Sequence, residues 1–117
     1  LTIPALPSGI DIVYHLAGKT KAHRAMEYYT VNREGTASLF RALVAAGGSP
    51  PRVIHLSSLA AAGPSTSPDG VRESDSPRPV TPYGQSKLQA EEVALEYKHS
   101  FPVVIVRASA IYGPGDM

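Results

Sequence analysis

Three short runs of β-branched and apolar residues, separated by stretches of helical spacing, set the fold class of this chain. Ile10 to Leu16 reads IDIVYHL, Arg52 to Ser57 reads RVIHLS, and Pro102 to Val106 reads PVVIV. Runs this short and this apolar suit strands covered on both faces of a parallel sheet. Between the first two, Leu39, Ala42, Leu43 and Ala46 recur at helical spacing. They predict a helix from Lys21 to Ala46, stopped by Gly47-Gly48. Gly35 weakens that helix by about 1 kcal/mol relative to alanine, unless it serves close packing on a neighbour. Before the third run, Thr81-Pro82 offers an N-cap hydroxyl and a first-turn proline for a helix reaching about His99. The order strand, helix, strand, helix, strand implies an α/β fold with a parallel sheet and right-handed crossovers. Ser58 to Val80, rich in proline, glycine and polar residues, reads as one irregular loop, of a length that is usually functional or mobile.

Bulk properties narrow the partners. The chain has 117 residues, enough for one small domain, with 11 basic and 10 acidic side chains. A formal net charge of +1 leaves no basic face for nucleic acid or a membrane surface. Cysteine is absent, which excludes disulfides and thiolate metal sites. The four histidines, His15, His23, His55 and His99, show no ligand-like pairing, so no metal is expected. No apolar run approaches the ~18 residues of a membrane span and no signal segment opens the chain, so a cytoplasmic protein is expected. The chain opens at Leu1 close to a strand and closes at Gly115-Asp116-Met117 after a turn-like Tyr112-Gly113-Pro114-Gly115. It reads as a piece of a longer protein.

In an open parallel sheet, ligands collect at the carboxyl ends of the strands. Here those ends are Leu16-Ala17-Gly18, Ser57-Ser58 and Arg107-Ala108-Ser109. The first offers small residues and free backbone N–H groups; the second offers two hydroxyls. Tyr83 and Lys87 are four apart, on one face of the first turns of the predicted helix, where the helix dipole adds positive potential. A phenol is a poor acid or base near neutrality, and a neighbouring ammonium favours its phenolate. With Ser58 holding a substrate oxygen, Tyr83 could exchange the proton of an alcohol or ketone. The accompanying hydride needs a carrier, because no side chain accepts one.

Taken singly, each feature has an ordinary reading. With six tyrosines, one lysine four residues after a tyrosine is unremarkable. Ser57-Ser58 could cap a strand end, His15 and His55 could be satisfied core histidines, and Tyr28-Tyr29 could be packing. Asn32 could tie a helix to a loop, and Arg107 could form a structural ion pair.

The combination is more specific. Asp11-Ile-Val-Tyr-His-Leu-Ala-Gly18 is similar to a D-x-V-x-H-x-A-[GA] strand and loop, and Val31-Asn32-Arg-Glu-Gly35-Thr36 to a V-N-x-x-G-T helix. Val53-Ile-His-Leu-Ser57-Ser58 resembles a strand ending at a catalytic serine. Pro82-Tyr83-Gly84-Gln85-Ser86-Lys87-Leu88-Gln-Ala90-Glu91 is similar to a P-Y-G-x-S-K-x-x-A-E active-site helix. Arg107 to Gly115 resembles an R-x-x-N-V-Y-G-P-G segment. In this order and spacing, these motifs resemble the extended short-chain dehydrogenase/reductases, specifically the NAD-dependent epimerase/dehydratase family.

The resemblance implies a partial Rossmann-type, doubly wound parallel sheet and an NAD or NADP cofactor. It implies that Tyr83 is the acid/base and that Lys87 acidifies this phenol and holds the nicotinamide ribose, while Ser58 orients the substrate oxygen. Leu16, Ala17, Gly18 and Lys19 would line the cofactor, with Val31 and Ser109 touching it and Asn32 structural. The substrate would be a nucleotide sugar or another secondary alcohol or ketone, and the long helices suggest the family's homodimer. The glycine-rich phosphate loop G-x-x-G-x-x-G does not occur in the sequence and is expected upstream of Leu1; the substrate-binding portion is expected after Met117. The isolated chain is therefore expected to bind cofactor poorly and to be inactive.

Two departures bear on substrate. Ala110 stands where the R-x-x-N segment has asparagine, and Leu59-Ala-Ala-Ala-Gly63-Pro64 follows the serine pair where V-Y-G is common. The second pattern resembles the hydroxysteroid dehydrogenases of the same superfamily, so an alcohol dehydrogenase or ketone reductase for an apolar substrate is the alternative. A non-catalytic dinucleotide-sensing protein is the other.

Overall fold

Strand β1 is Ile12–His15, β2 is Arg52–Ser58 and β3 is Val103–Ala108, in a computed structural model that describes residues 2–116. All pair in parallel in the order β1-β2-β3. The register sets His15 against His55, Ser57 against Arg107, and Ser58 against Ala108, so the three strand ends open along one edge. The strands fall where the apolar runs predict them, and the arrangement is a partial Rossmann-type α/β fold.

The first crossover is wound in three parts. Helix α1 is Ala25–Tyr28, Tyr29–Glu34 is π-helical, and α2 is Gly35–Ala46. The helix thus starts later than Lys21 and widens in its middle. The widened turn holds Asn32, a buried polar residue whose side chain is committed to other elements. The Thr36 hydroxyl donates to the Asn32 carbonyl at 2.6 Å, giving that carbonyl a side-chain partner where the helix widens. Gly35 has ordinary helical angles, so its freedom is not used there. Gly47 ends α2 at a φ of +65°.

The second crossover differs from one long loop. Leu59–Ala62 form a single helical turn, α3, capped by Ser58, and only residues 63–80 are irregular. The Arg78 N–H donates to the Ala62 carbonyl at 2.8 Å, so the loop returns to its starting point. A Cβ on Gly63 would lie 1.8 Å from the Arg78 carbonyl oxygen, and its φ is +80°, so only glycine fits this closure. Helix α4, Pro82–Glu96, begins as predicted: the Thr81 hydroxyl accepts from the Gly84 N–H at 3.0 Å. It stops short of His99 because residues 97–100 turn, with the Phe101 N–H returning to the Tyr97 carbonyl.

Phe40 and Leu43 from α2, Ala94 from α4, Val53 and Phe101 form the core over one face of the sheet, with Val13, Val103 and Ile105 beneath them. Phe40 stacks on Tyr97 at 4.7 Å between ring centroids and meets Phe101 edge-on. The expectation of strands buried on both faces is corrected here. Ile12 and Tyr14 on β1 are 47% and 63% exposed, and Val104 and Val106 on β3 are also exposed. The reason is geometric: alternate strand residues point to opposite faces, and among the described residues α2 and α4 pack over the same one.

Candidate active site

Ser58 is both the last residue of β2 and the N-cap of α3, its Oγ accepting from the Ala60 N–H at 3.1 Å. This acceptor role leaves the hydroxyl proton free to donate. The first turn of α4 comes hard against α3. A Cβ on Gly84 would lie 2.4 Å from the Ala60 carbonyl oxygen, so only glycine permits this approach. Its neighbour Tyr83 is thereby carried toward the end of β2. Tyr83 is half-buried, with its ring edge-on to Tyr28 at 5.7 Å. Tyr29 donates its hydroxyl to Gln85 at 3.1 Å, so the tyrosine pair packs against α4 as the ordinary reading held.

One turn along α4, Lys87 is 7% exposed and donates from Nζ to the Leu56 carbonyl of β2 at 2.8 Å. Burial pushes its pKa below the usual lysine value, and the Glu91 carboxylate opposes that fall. An ammonium carries three N–H bonds, and the Leu56 carbonyl takes one. Above it lies the loop after β1. A Cβ on Gly18 would sit 3.6 Å from Lys87 Nζ and 3.2 Å from Asn32 Oδ1, so the missing side chain leaves a cradle beside the ammonium. No hydrogen bond joins Lys87 to the Tyr83 hydroxyl among the described residues; the two share a helix face.

Asn32 holds this cradle together. Its Oδ1 accepts from the Lys19 N–H at 2.7 Å, and its Nδ2 donates to the Lys19 carbonyl at 3.1 Å and to Ser86 Oγ at 2.9 Å. Ser86 in turn donates to the Tyr83 carbonyl at 2.7 Å. Asn32 is therefore structural, as expected, and links the β1 loop to the turn bearing Tyr83 and Lys87. Because the Thr36 hydroxyl gives its proton to Asn32, His15 Nε2 donates to Thr36 Oγ1 at 2.9 Å. His15 is thus a satisfied core histidine. His55 is not: it is 1% exposed, and neither ring nitrogen has a partner among the described residues. Its pKa is lowered to about 3 and that of His15 to about 4, each by burial first and then by the neighbouring charges.

The structure brings Gly18, Lys19, Asn32 and Lys87 together, and sets Ser58 and Tyr83 on elements in direct contact. Leu16 and Ala17 are exposed on the same loop, Val31 is half-buried in the π-helical segment, and Ser109 is exposed just past β3. The Lys19 ammonium pairs with Glu27. Arg107 forms the ion pair expected of it, with Glu91. The part of Glu91 in this arrangement was not anticipated, although its position four residues after Lys87 was the available signal. Among the described residues there is no metal-binding cluster, and no helix is long and apolar enough to cross a membrane.

A strand-end serine, a Tyr-x-x-x-Lys helix start and a glycine cradle above the lysine occur together here, and the family model for the NAD dependent epimerase/dehydratase family matches residues 3–117. The chain belongs to this family. Among its relatives, the dTDP-D-glucose 4,6-dehydratase of Mus musculus is 38% identical over 111 residues, covering 90% of this chain and 30% of the relative. The ceramide reductase of Caulobacter vibrioides is 35% identical over 111 residues, covering 95% of this chain and 29% of the relative. The structure of RMD from Pseudomonas aeruginosa complexed with NADPH superposes with a TM-score of 0.82 at 30% identity, covering 92% of this chain and 39% of that one. The chain thus spans about a third of the length of the curated relatives it matches. Within the epimerase/dehydratase frame, Gly84 and Gly63 become intelligible as the residues that let α3 and the loop after it close on the start of α4.

Proposed function

We propose that this chain is the central portion of an NAD(P)-binding domain and supplies the proton-transfer groups of an epimerase/dehydratase-type oxidoreductase. The observation that carries the reading is the Gly18 cradle beside a buried ammonium, one turn along α4 from Tyr83. An unfilled space, exposed backbone at Leu16 to Gly18 and two uncommitted N–H bonds on Lys87 fit the hydroxyls of a nicotinamide ribose. Leu16, Ala17, Gly18 and Lys19 would line the cofactor with Lys87, and Val31 and Ser109 would flank it. The cofactor, when bound, supplies the hydride acceptor or donor that no side chain can provide.

The chain's own groups handle the proton. Ser58 donates its free hydroxyl proton to the substrate oxygen and holds it in place. Tyr83 removes the proton from that oxygen as an alcohol is oxidised, and returns it when a ketone is reduced. Lys87, charged and desolvated, favours the phenolate that this exchange passes through. The substrate is a secondary alcohol or the matching ketone, and nucleotide sugars are the leading class, given the dehydratase relative.

A second reading concerns the substrate alone. The turn after Ser58, Leu59-Ala60-Ala61-Ala62, has no polar side chain and exposes Leu59, where a sugar hydroxyl would seek partners, and one relative is a ceramide reductase. Both favour a ketone reductase for a substrate with an apolar body.

The test is Tyr83→Phe in the protein that joins this chain to a glycine-rich phosphate loop. Turnover should fall by at least about 100-fold with cofactor affinity little changed. Equal turnover in the variant would remove Tyr83 from the reaction. Net NAD(P)H consumption with substrate marks the reductase, and its absence during conversion marks the epimerase.

A further inference from the structure

Glu91 lies one turn beyond Lys87 on α4, is 4% exposed, and makes three hydrogen bonds to two strands. Ser57 Oγ donates to Oε1 at 2.5 Å, Arg107 Nε to Oε1 at 2.9 Å, and Arg107 Nη2 to Oε2 at 2.7 Å. Ser57 directly precedes Ser58 on β2, and Arg107 faces Ser57 across the β2–β3 register. The carboxylate therefore fastens the middle of α4 to the ends of both strands, between the residues that carry Ser58 and Lys87. A buried carboxylate this well partnered by one cation and one hydroxyl is a rigid fixture.

We propose that Glu91 is a positioning residue for Lys87: it locks the Lys87 turn of α4 to the ends of β2 and β3, and it stands one turn away as the counter-charge to the buried ammonium. The surroundings explain why such a group is needed. Lys87 faces His15 from β1, His55 from β2 and Tyr83 one turn earlier on α4, and Arg107 from β3 lies beyond Glu91. Both histidines are neutral above about pH 4. Burial disfavours the Lys87 ammonium, and Glu91 is the neighbouring charge that opposes this. The Glu91–Arg107 pair presents its negative partner toward Lys87, since Glu91 shares the helix with it and Arg107 reaches Glu91 from the far strand.

The proposal deepens the proposed function, in which Lys87 works as an ammonium, but its test needs no turnover. The side-chain amine of Lys87 is titrated by nitrogen-15 NMR in the full chain, in the wild type, Glu91→Gln and Arg107→Met. Loss of the Glu91 charge should lower the Lys87 midpoint by about one pH unit, and loss of the more distant Arg107 charge should raise it by a smaller amount. A purely mechanical tie predicts something else: loosening admits water, and both variants drift upward toward the ordinary lysine value. Two upward shifts, or none, overturn the proposal. If Glu91→Gln does not fold, Arg107→Met is compared with Arg107→Lys, which loosens the tie but keeps the charge. A higher Lys87 midpoint in Arg107→Met supports the proposal, and equal midpoints overturn it. Failure here with loss of turnover in Tyr83→Phe would leave the enzyme reading standing and remove only the role of Glu91.

Discussion

Lowering the pH from 7.5 to 5.0 should destabilise this chain sharply, because two histidines are buried uncharged in its sheet. His15 and His55 sit opposite each other on β1 and β2 with ring centroids 5.1 Å apart, and Lys87 lies near both. Burial holds His15 down to about 4 and His55 to about 3. In the unfolded chain both protonate near 6.5. Between 6.5 and 4 the unfolded state therefore binds more protons than the folded one. Stability is full above 6.5 and declines as the pH falls toward the folded values. Each histidine loses ~1.4 kcal/mol per pH unit, so at pH 5.0 each costs about 2 kcal/mol and the pair about 4 kcal/mol. An unfolding entropy of roughly 0.25 kcal/mol/K for a chain of this length converts that to a Tm lower by about 15 °C. Carboxylates contribute little at pH 5.0, above their ordinary values. Thermal unfolding followed by circular dichroism at the two pH values measures the drop, and His55→Leu should roughly halve it. A Tm that moves by less than about 4 °C, or an undiminished drop in His55→Leu, would refute the buried-neutral-histidine account.

Other perturbations test other parts of the structure. Phe40→Ala empties the centre of the core and should lower stability by about 3–5 kcal/mol in urea titrations; a loss under about 1 kcal/mol would mean the aromatic stack does not form. Gly84→Ala puts a Cβ 2.4 Å from a backbone oxygen and should destabilise the chain by about 1–3 kcal/mol, with amide shifts in NMR spectra concentrated in residues 59–62 and 81–85. Asn32→Ala frees the Lys19 N–H and carbonyl, so hydrogen exchange at Lys19 should accelerate while exchange in β2 stays slow. Gly18→Ala fills the cradle beside Lys87 and should weaken NAD(P)H binding by the cofactor-competent protein at least about tenfold, read by nicotinamide fluorescence.

Much of this was legible in the residues because the signals were local and redundant. The β-branched runs mark the strands, Thr81-Pro82 marks the start of α4, and Asn32 and Arg107 carry polar groups that must find partners once buried. The four-residue helix α3 escaped because one turn is shorter than any periodic pattern, although Ser58 before and Gly63 after Leu-Ala-Ala-Ala are its cap and stop. The π-helical widening at Tyr29–Glu34 escaped because a few residues of altered winding barely disturb helical spacing. One-sided burial of β1 and β3 was hidden because an apolar run does not say what covers it. Glu91 was overlooked as a functional group because a glutamate in a helix ordinarily faces water, and only the fold reveals Ser57 and Arg107 converging on it.

Label transfer tests the central claim most directly. A protein in which this chain is joined to a glycine-rich phosphate loop is incubated with NAD(P)H carrying deuterium at C4 of the nicotinamide, and with a ketone of a nucleotide sugar or of an apolar lipid. Product carbinol carbons are then read by mass spectrometry. Deuterium on the former carbonyl carbon in the wild type, and its loss in Tyr83→Phe with cofactor still bound, is the predicted result. Bound cofactor with no label transferred to either ketone would contradict the account and leave a dinucleotide-binding protein in its place.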